Sequence, residues 1–161
     1  MKTIILFIGI SLLFWTCTQD QGQSSSNQPA KKKVEKKAES SKKVEEGKGV
    51  GEITHVDLNN PLVAEMVEKG TSIYELKCAS CHKLTDKRVV GPGFAAITER
   101  RKPEWIMNMI TNVDVMLKED PEAQALLKEC LVRMPNQNLS TEDARSVLEF
   151  LYANDGQEVG S

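Results

Sequence analysis

An all-α domain, preceded by a stretch with no core, is the fold class the sequence predicts, and three observations carry it. From residue 52 to residue 161 apolar side chains recur every three or four positions, and no run alternates polar with apolar as a half-buried strand would. Proline or a capping residue stands where each periodic segment begins. The segment is about 110 residues long and poor in aromatics, enough for one small domain with a thin core of its own.

The first helix is expected to start at Asn60 as N-cap and Pro61 at N1, with Leu62, Val63, Met66, Val67, Ile73, Tyr74 and Leu76 at helical spacing. Gly70 falls inside it, where glycine costs about 1 kcal/mol relative to alanine, so it either breaks the helix or admits a close neighbour. A second helix is expected from Pro103, carrying Trp105, Ile106, Met109 and Ile110. A third follows Asp120 and Pro121 and carries Ala125, Leu126, Leu127 and Leu131. The last starts at Ser140 with Asp143 three residues on, a variant capping box, and carries Ala144, Val147, Leu148, Leu151 and Tyr152 on its buried side.

Ahead of this domain, Lys2 precedes the apolar run from Ile4 to Trp15, the size of a signal-peptide core and short for a bilayer span. Residues 1–17 therefore read as an export signal. The run ends at Leu13, Phe14, Trp15, Thr16, Cys17, which resembles a bacterial lipoprotein site with Cys17 as the lipidated residue. Cleavage nearby without lipidation and an uncleaved anchor are the other two readings. Residues 18–51 are Ser, Gln, Lys and Glu, with Lys31, Lys32, Lys33, Lys36, Lys37, Lys42 and Lys43 clustered, and offer nothing to bury. As a flexible tether such a stretch spans about 30 Å. Beyond residue 50 there are 12 Lys and Arg against 18 Asp and Glu, so the domain is acidic, and nucleic acid is excluded as a partner.

Chemistry concentrates in Cys78, Ala79, Ser80, Cys81, His82. Cys-x-x-Cys-His is the attachment spacing for c-type haem, with two thiols placed for thioethers to one porphyrin and the imidazole for the iron. A lone Cys-x-x-Cys is also half a zinc site or a redox dithiol. Only Cys130 and His55 remain as further ligands in the domain, at spacings unlike a zinc ribbon, and a thioredoxin-like fold needs a βαβ pattern that is missing. Cys130, beside Leu127 and Leu131, reads as a small buried hydrophobe.

From Pro61 to Asn154 these residues resemble the class I c-type cytochromes: Gly70 and Tyr74 before the motif, Gly91 and Pro92 after it, Met134 with Pro135 and then Leu139 and Ser140, and Phe150 and Leu151 in the last helix. The resemblance implies about four helices wrapped around one covalent haem c. Gly70 would mark a close crossing of first and last helices, and the Pro92 carbonyl would accept a hydrogen bond from His82. His82 and Met134 would be the axial iron ligands. Trp105, Arg100 and Arg101 would lie near the haem propionates, the indole N–H among the groups that neutralise them; the other reading is core packing for Trp105 and solvent exposure for the arginines. Met66, Met107, Met109 and Met116 read as core, and His55 as a bystander.

The function so implied is single-electron transfer, not enzymatic turnover, by a monomer lipid-anchored on the periplasmic side of a bacterial membrane. Its donor would be a quinol-oxidising complex of the quinol–cytochrome c reductase kind and its acceptor a terminal oxidase or reductase, denitrification included. The acidic balance predicts partners with basic docking patches. The alternative is a sensor or enzyme that reacts with a gas or peroxide at an iron whose distal position is open.

Overall fold

Among the described residues six helices form, in the order α1 (Ala64–Lys77), α2 (Ile97–Arg100), α3 (Pro103–Thr111), α4 (Val113–Glu119), α5 (Pro121–Cys130) and α6 (Thr141–Asn154). This computed structural model describes residues 46–161; the apolar run, Cys17 and most of the charged stretch lie outside the described residues. Among the described residues, extended pairing is limited to two isolated bridges, Leu62 with Val159 and His82 with Arg88.

The four expected helices are present, and α2 and α4 are additional short ones. The start of α1 differs from expectation. Leu62 donates its N–H to the Glu158 carbonyl at 2.9 Å and accepts from Gly160 N–H at 2.8 Å, so its backbone is committed to the C-terminal tail. The helix therefore begins at Ala64, after Val63 rather than Asn60. Its capping also differs from a polar N-cap: Val63 N–H is taken by the buried Glu149 carboxylate of α6 at 3.2 Å, which also accepts from Asn59 Nδ2 at 2.9 Å. The α5 and α6 starts follow the sequence rules, Asp120 accepting from Ala123 N–H at 2.8 Å and Ser140 Oγ from Asp143 N–H at 3.0 Å.

Helices α1 and α6 cross at Gly70. A Cβ built there would overlap the Ser146 carbonyl and lie 2.8 Å from Phe150 Cβ, so the close approach exists only without a side chain. Tyr74, one turn on, lies 5.0 Å between ring centroids from Phe150. At the edge of the crossing Lys69 pairs with Asp143 at 2.9 Å and Glu142 at 3.4 Å. Val147, Leu148 and Leu151 are buried as the spacing requires, with Val113, Met107 and Met116 completing the core. Four of the apolar positions expected to face inward escape it, Val63 among them at 38% exposed. Leu76 and Leu131 are 82% and 86% exposed, and Ala125 of α5 faces solvent while Ala123 is buried.

Residues 46–51, which composition groups with the tether, lie against α3. Asn108, 1% exposed, donates to the carbonyls of Lys48 at 3.1 Å and Ile53 at 2.9 Å and accepts from Ile53 N–H at 3.2 Å. Glu104, also buried, accepts from Val56 N–H at 3.3 Å. Gly49 passes so near the α3–α4 layer that a Cβ would sit 2.8 Å from Met116 Cε and 3.2 Å from Trp105 Cδ1. A stretch grouped with the tether because its composition offers nothing to bury is thus a strap whose glycines let the backbone approach the core.

Substituting Gly70→Ala is expected to lower stability despite the better helix former. The overlap is with backbone, which cannot move aside, and overpacking costs about 1–3 kcal/mol against a propensity gain of about 1 kcal/mol. Chemical denaturation of the loaded protein checks this; an unchanged or raised midpoint would contradict the crossing.

Candidate functional site

A cavity of about 450 Å³ opens between α1 and the loops on either side of α3 and α5. Its wall is mostly apolar, from Ile97, Ile106, Met109, Leu117, Leu126, Val147 and others, and it takes in Cys78, Cys81, His82 and Met134. The fold therefore brings together the residues that stand some fifty positions apart in the sequence.

The cysteine and histidine end is built by the close of α1. Cys78 and Ala79 both donate backbone N–H to the Tyr74 carbonyl, at 2.8 and 2.9 Å, and His82 N–H donates to the Cys78 carbonyl at 2.9 Å. The motif is thereby wound into a tight turn that continues the helix. Tyr74 spans it from behind, its hydroxyl donating to the His82 carbonyl at 2.7 Å. Burial pushes the Cys78 thiol above its ordinary value, so it stays protonated.

His82 is held on three sides. Its Nδ1 lies 2.9 Å from the Pro92 carbonyl, which can only accept, so Nδ1 carries the proton and Nε2 keeps its lone pair for a metal. Burial lowers its pKa below the ordinary imidazole value, outweighing the Pro92 bond, which raises it; the ring is neutral, as a ligand must be. The Phe94 ring stacks on it with centroids 4.4 Å apart and planes 17° from parallel. Gly91 packs against the ring, where a Cβ would come within 2.7 Å of Nδ1 and 2.8 Å of Nε2. Phe94 was not among the residues singled out from sequence. The signal that bore on it was its place two residues after the Gly91, Pro92 pair.

Arg100, Arg101 and Trp105 also line the cavity, as expected, but the indole is otherwise engaged. Trp105 Nε1 donates to Asp120 Oδ1 at 3.1 Å, the same oxygen that caps α5. This corrects the role given to the indole N–H, which joins α3 to α5. Arg101 lies over the Trp105 ring at 5.0 Å and pairs with Glu122 at 3.1 Å. Arg100 donates to the carbonyls of Gly93 and Ala95.

The remaining candidates separate cleanly. Cys130 is half-buried on the cavity wall at the end of α5, which corrects its reading as a small buried hydrophobe beside Leu127 and Leu131: the chain turns left-handed at Leu131 and sends that side chain to solvent. Met107 and Met116 are core as expected, whereas Met109 sits on the cavity wall. His55 is 71% exposed, bonds Asp57 at 2.8 Å and does not line the cavity. Among the described residues no group of three or more His, Cys, Asp and Glu is placed to hold a metal ion, and no helix is long and apolar enough to cross a membrane.

A family model described as cytochrome c matches residues 67–154. No curated relative matches the sequence. Among solved structures, a cytochrome c from Rhodothermus marinus is similar at 32% identity and a TM-score of 0.63, over 65% of this chain and 90% of its own. An engineered form of that cytochrome gives 31% identity and a TM-score of 0.62, and one bound to a carbene intermediate gives 31% and 0.59, over the same shares.

The residues present fit the covalent haem c that this likeness implies. Two thiols at haem-attachment spacing and a neutral imidazole with Nε2 free share an apolar cavity of suitable size, and Met134 adds a soft sulfur to the same space. Replacing Gly91→Ala tests the imidazole seat. The Cβ would displace the ring from the Pro92 carbonyl, and a hydrogen bond worth about 0.5–1.5 kcal/mol in ligand basicity corresponds to a potential raised by about 20–60 mV. Potentiometry of the loaded variant checks this, and an unmoved potential would contradict the seat.

Proposed function

The chain belongs to the cytochrome c family, and from that premise we propose that it is a membrane-tethered carrier of single electrons whose iron is closed to substrates by His82 and Met134. One observation carries the reading: Met134, from a loop outside every helix, shares one apolar cavity with His82, whose Nδ1 is already committed to Pro92. The bound haem supplies an iron that cycles between ferric and ferrous. The chain's own residues do the rest. Cys78 and Cys81 would fix the group, Pro92 and Phe94 orient His82, and the Met134 thioether would favour the ferrous state as the second protein ligand. The apolar wall keeps water from the metal and so limits reorganisation when the charge changes.

Anchoring through Cys17, with residues 18–45 as the tether, would hold the carrier on the outer face of a bacterial membrane while it moves between a quinol-oxidising donor and a terminal oxidase or reductase, in denitrification or otherwise. Confinement of this kind raises encounter through effective concentration.

Net charge alone pointed to basic partners, but the cavity favours acidic ones. Every charged side chain lining it is cationic: Lys77, Arg100, Arg101 and Arg133. Residues 77–133 hold ten Lys and Arg against eight Asp and Glu, while residues 51–76 with 134–161 hold two against ten, so the excess negative charge belongs to the sequence around α1 and α6. Exposed Val90 and Val132 also line the cavity, and partners are read as acidic around an apolar centre.

Two measurements test these readings. Ferrous wild-type protein should bind carbon monoxide slowly at neutral pH, and Met134→Ala at least about tenfold faster, because the sixth position is then empty; rapid binding by the unaltered protein would overturn the closed iron and favour the gas- or peroxide-reactive alternative. Oxidation by an anionic metal complex should slow as salt rises, and by a cationic complex of similar potential should not. The reverse order would return the docking face to net charge.

A further inference from the structure

Met134 lies between α5 and α6 in a loop with few attachments. Among the described residues, no backbone–backbone hydrogen bond ties 132–139 to any other part of the chain. Within the loop, Gln137 Nε2 donates to the Pro135 carbonyl at 3.1 Å and Asn138 N–H to Asn136 Oδ1 at 2.8 Å. Met134 and Leu139 pack against the core. Two polar contacts leave the loop: Arg133 Nη2 donates to Asp114 Oδ1, and Lys77 Nζ reaches the Gln137 carbonyl at 3.4 Å, long for a strong bond.

We propose that Arg133, through its pair with Asp114, is the positioning residue that holds the Met134 sulfur in place for the iron, so that breaking the pair opens the distal position without unfolding the domain. This rests on Met134 being the distal ligand.

Arg133 is the residue next to Met134, so constraining its guanidinium constrains the ligand's backbone. Asp114 offers a fixed point for three reasons. It stands in the first turn of α4, where the helix end favours a carboxylate. Its helix is seated by Val113, Met116 and Leu117, all buried. Leu117 also lines the cavity, so Asp114 is rigidly related to the space the sulfur must enter. Both partners are more than half exposed, at 54% and 65%, which bounds the effect: such a pair shifts an equilibrium by up to about fivefold and is screened by salt. A shift of that size is negligible in a helix sewn into the core. In a loop with no backbone bonds outward it acts on the open and closed positions of Met134.

The test uses the full-length, haem-loaded protein with Arg133→Gln, Asp114→Asn and the double variant, and Arg133→Lys as the conservative replacement. The readouts are the rate of carbon monoxide binding to the ferrous state and the red-edge absorption band of the ferric thioether complex. At low salt each single variant should bind about threefold to fivefold faster and lose part of the band. The double variant should be no faster than either single, and Arg133→Lys should recover most of the difference. Salt should carry the wild-type rate toward those of the variants and leave theirs unchanged. Single variants that bind at the wild-type rate, or a double variant whose effect is the product of the two, would overturn the proposal. So would faster binding matched by an equal loss of global stability in denaturation. If the unaltered protein already binds as fast as Met134→Ala, the failure lies in ligation by Met134 itself, and the positioning role falls with it.

Discussion

The crossing of α1 and α6 at Gly70 is the constraint on which the site depends. Both halves of the proposed iron coordination hang from these two helices. The Cys78 to His82 turn is wound directly off the end of α1 through the Tyr74 carbonyl, and the Met134 loop runs into α6 at the Ser140 cap. With no Cβ at Gly70 the helices approach until Ser146 and Phe150 meet the backbone, and Phe150 in turn seats Tyr74. Tyr74 then reaches the His82 carbonyl. One missing methyl group is thus linked through two aromatic rings to the backbone of the histidine proposed to bind the iron.

Around that frame the two sides of the cavity are held very differently. His82 is fixed by a hydrogen bond, a stacked ring and a packed glycine. Met134 is placed by its own packing and by a neighbour's ion pair on the surface. A thioether bond to iron is itself weak and soft, so with Met134 as the proposed ligand the balance between a closed and an open iron would rest on loop energetics of small size. An electron carrier needs that balance to favour closure in both redox states, because a ligand that leaves on reduction adds reorganisation to every transfer.

Much of this was legible in the sequence because short-range rules govern it. The attachment spacing, the Ser140 and Asp120 caps and the periodicity of α6 each depend on residues within one or two turns, and Gly70 was readable as a place where something packs close. What escaped depends on distant partners. Asn60 and Pro61 look like a helix start, but the C-terminal tail claims Leu62 first. Glycines at 49 and 51 look like linker, but Asn108 turns them into a strap. Trp105 looks like a donor to the prosthetic group, yet its N–H serves Asp120. The charge of the cavity was hidden in the total, because the acidic excess belongs to the segments around α1 and α6.

A closed carrier must keep the same two protein ligands on its iron while it gains and loses one electron. Potentiometric titration of the loaded protein, followed by absorption through both states, measures this directly. Ligation by His82 and Met134 in both states gives a single reversible one-electron wave, low-spin spectra at both ends and the thioether band in the oxidised state. A high-spin ferrous spectrum, or oxidative and reductive titrations that fail to overlay, would show that Met134 leaves the iron and would contradict a closed carrier.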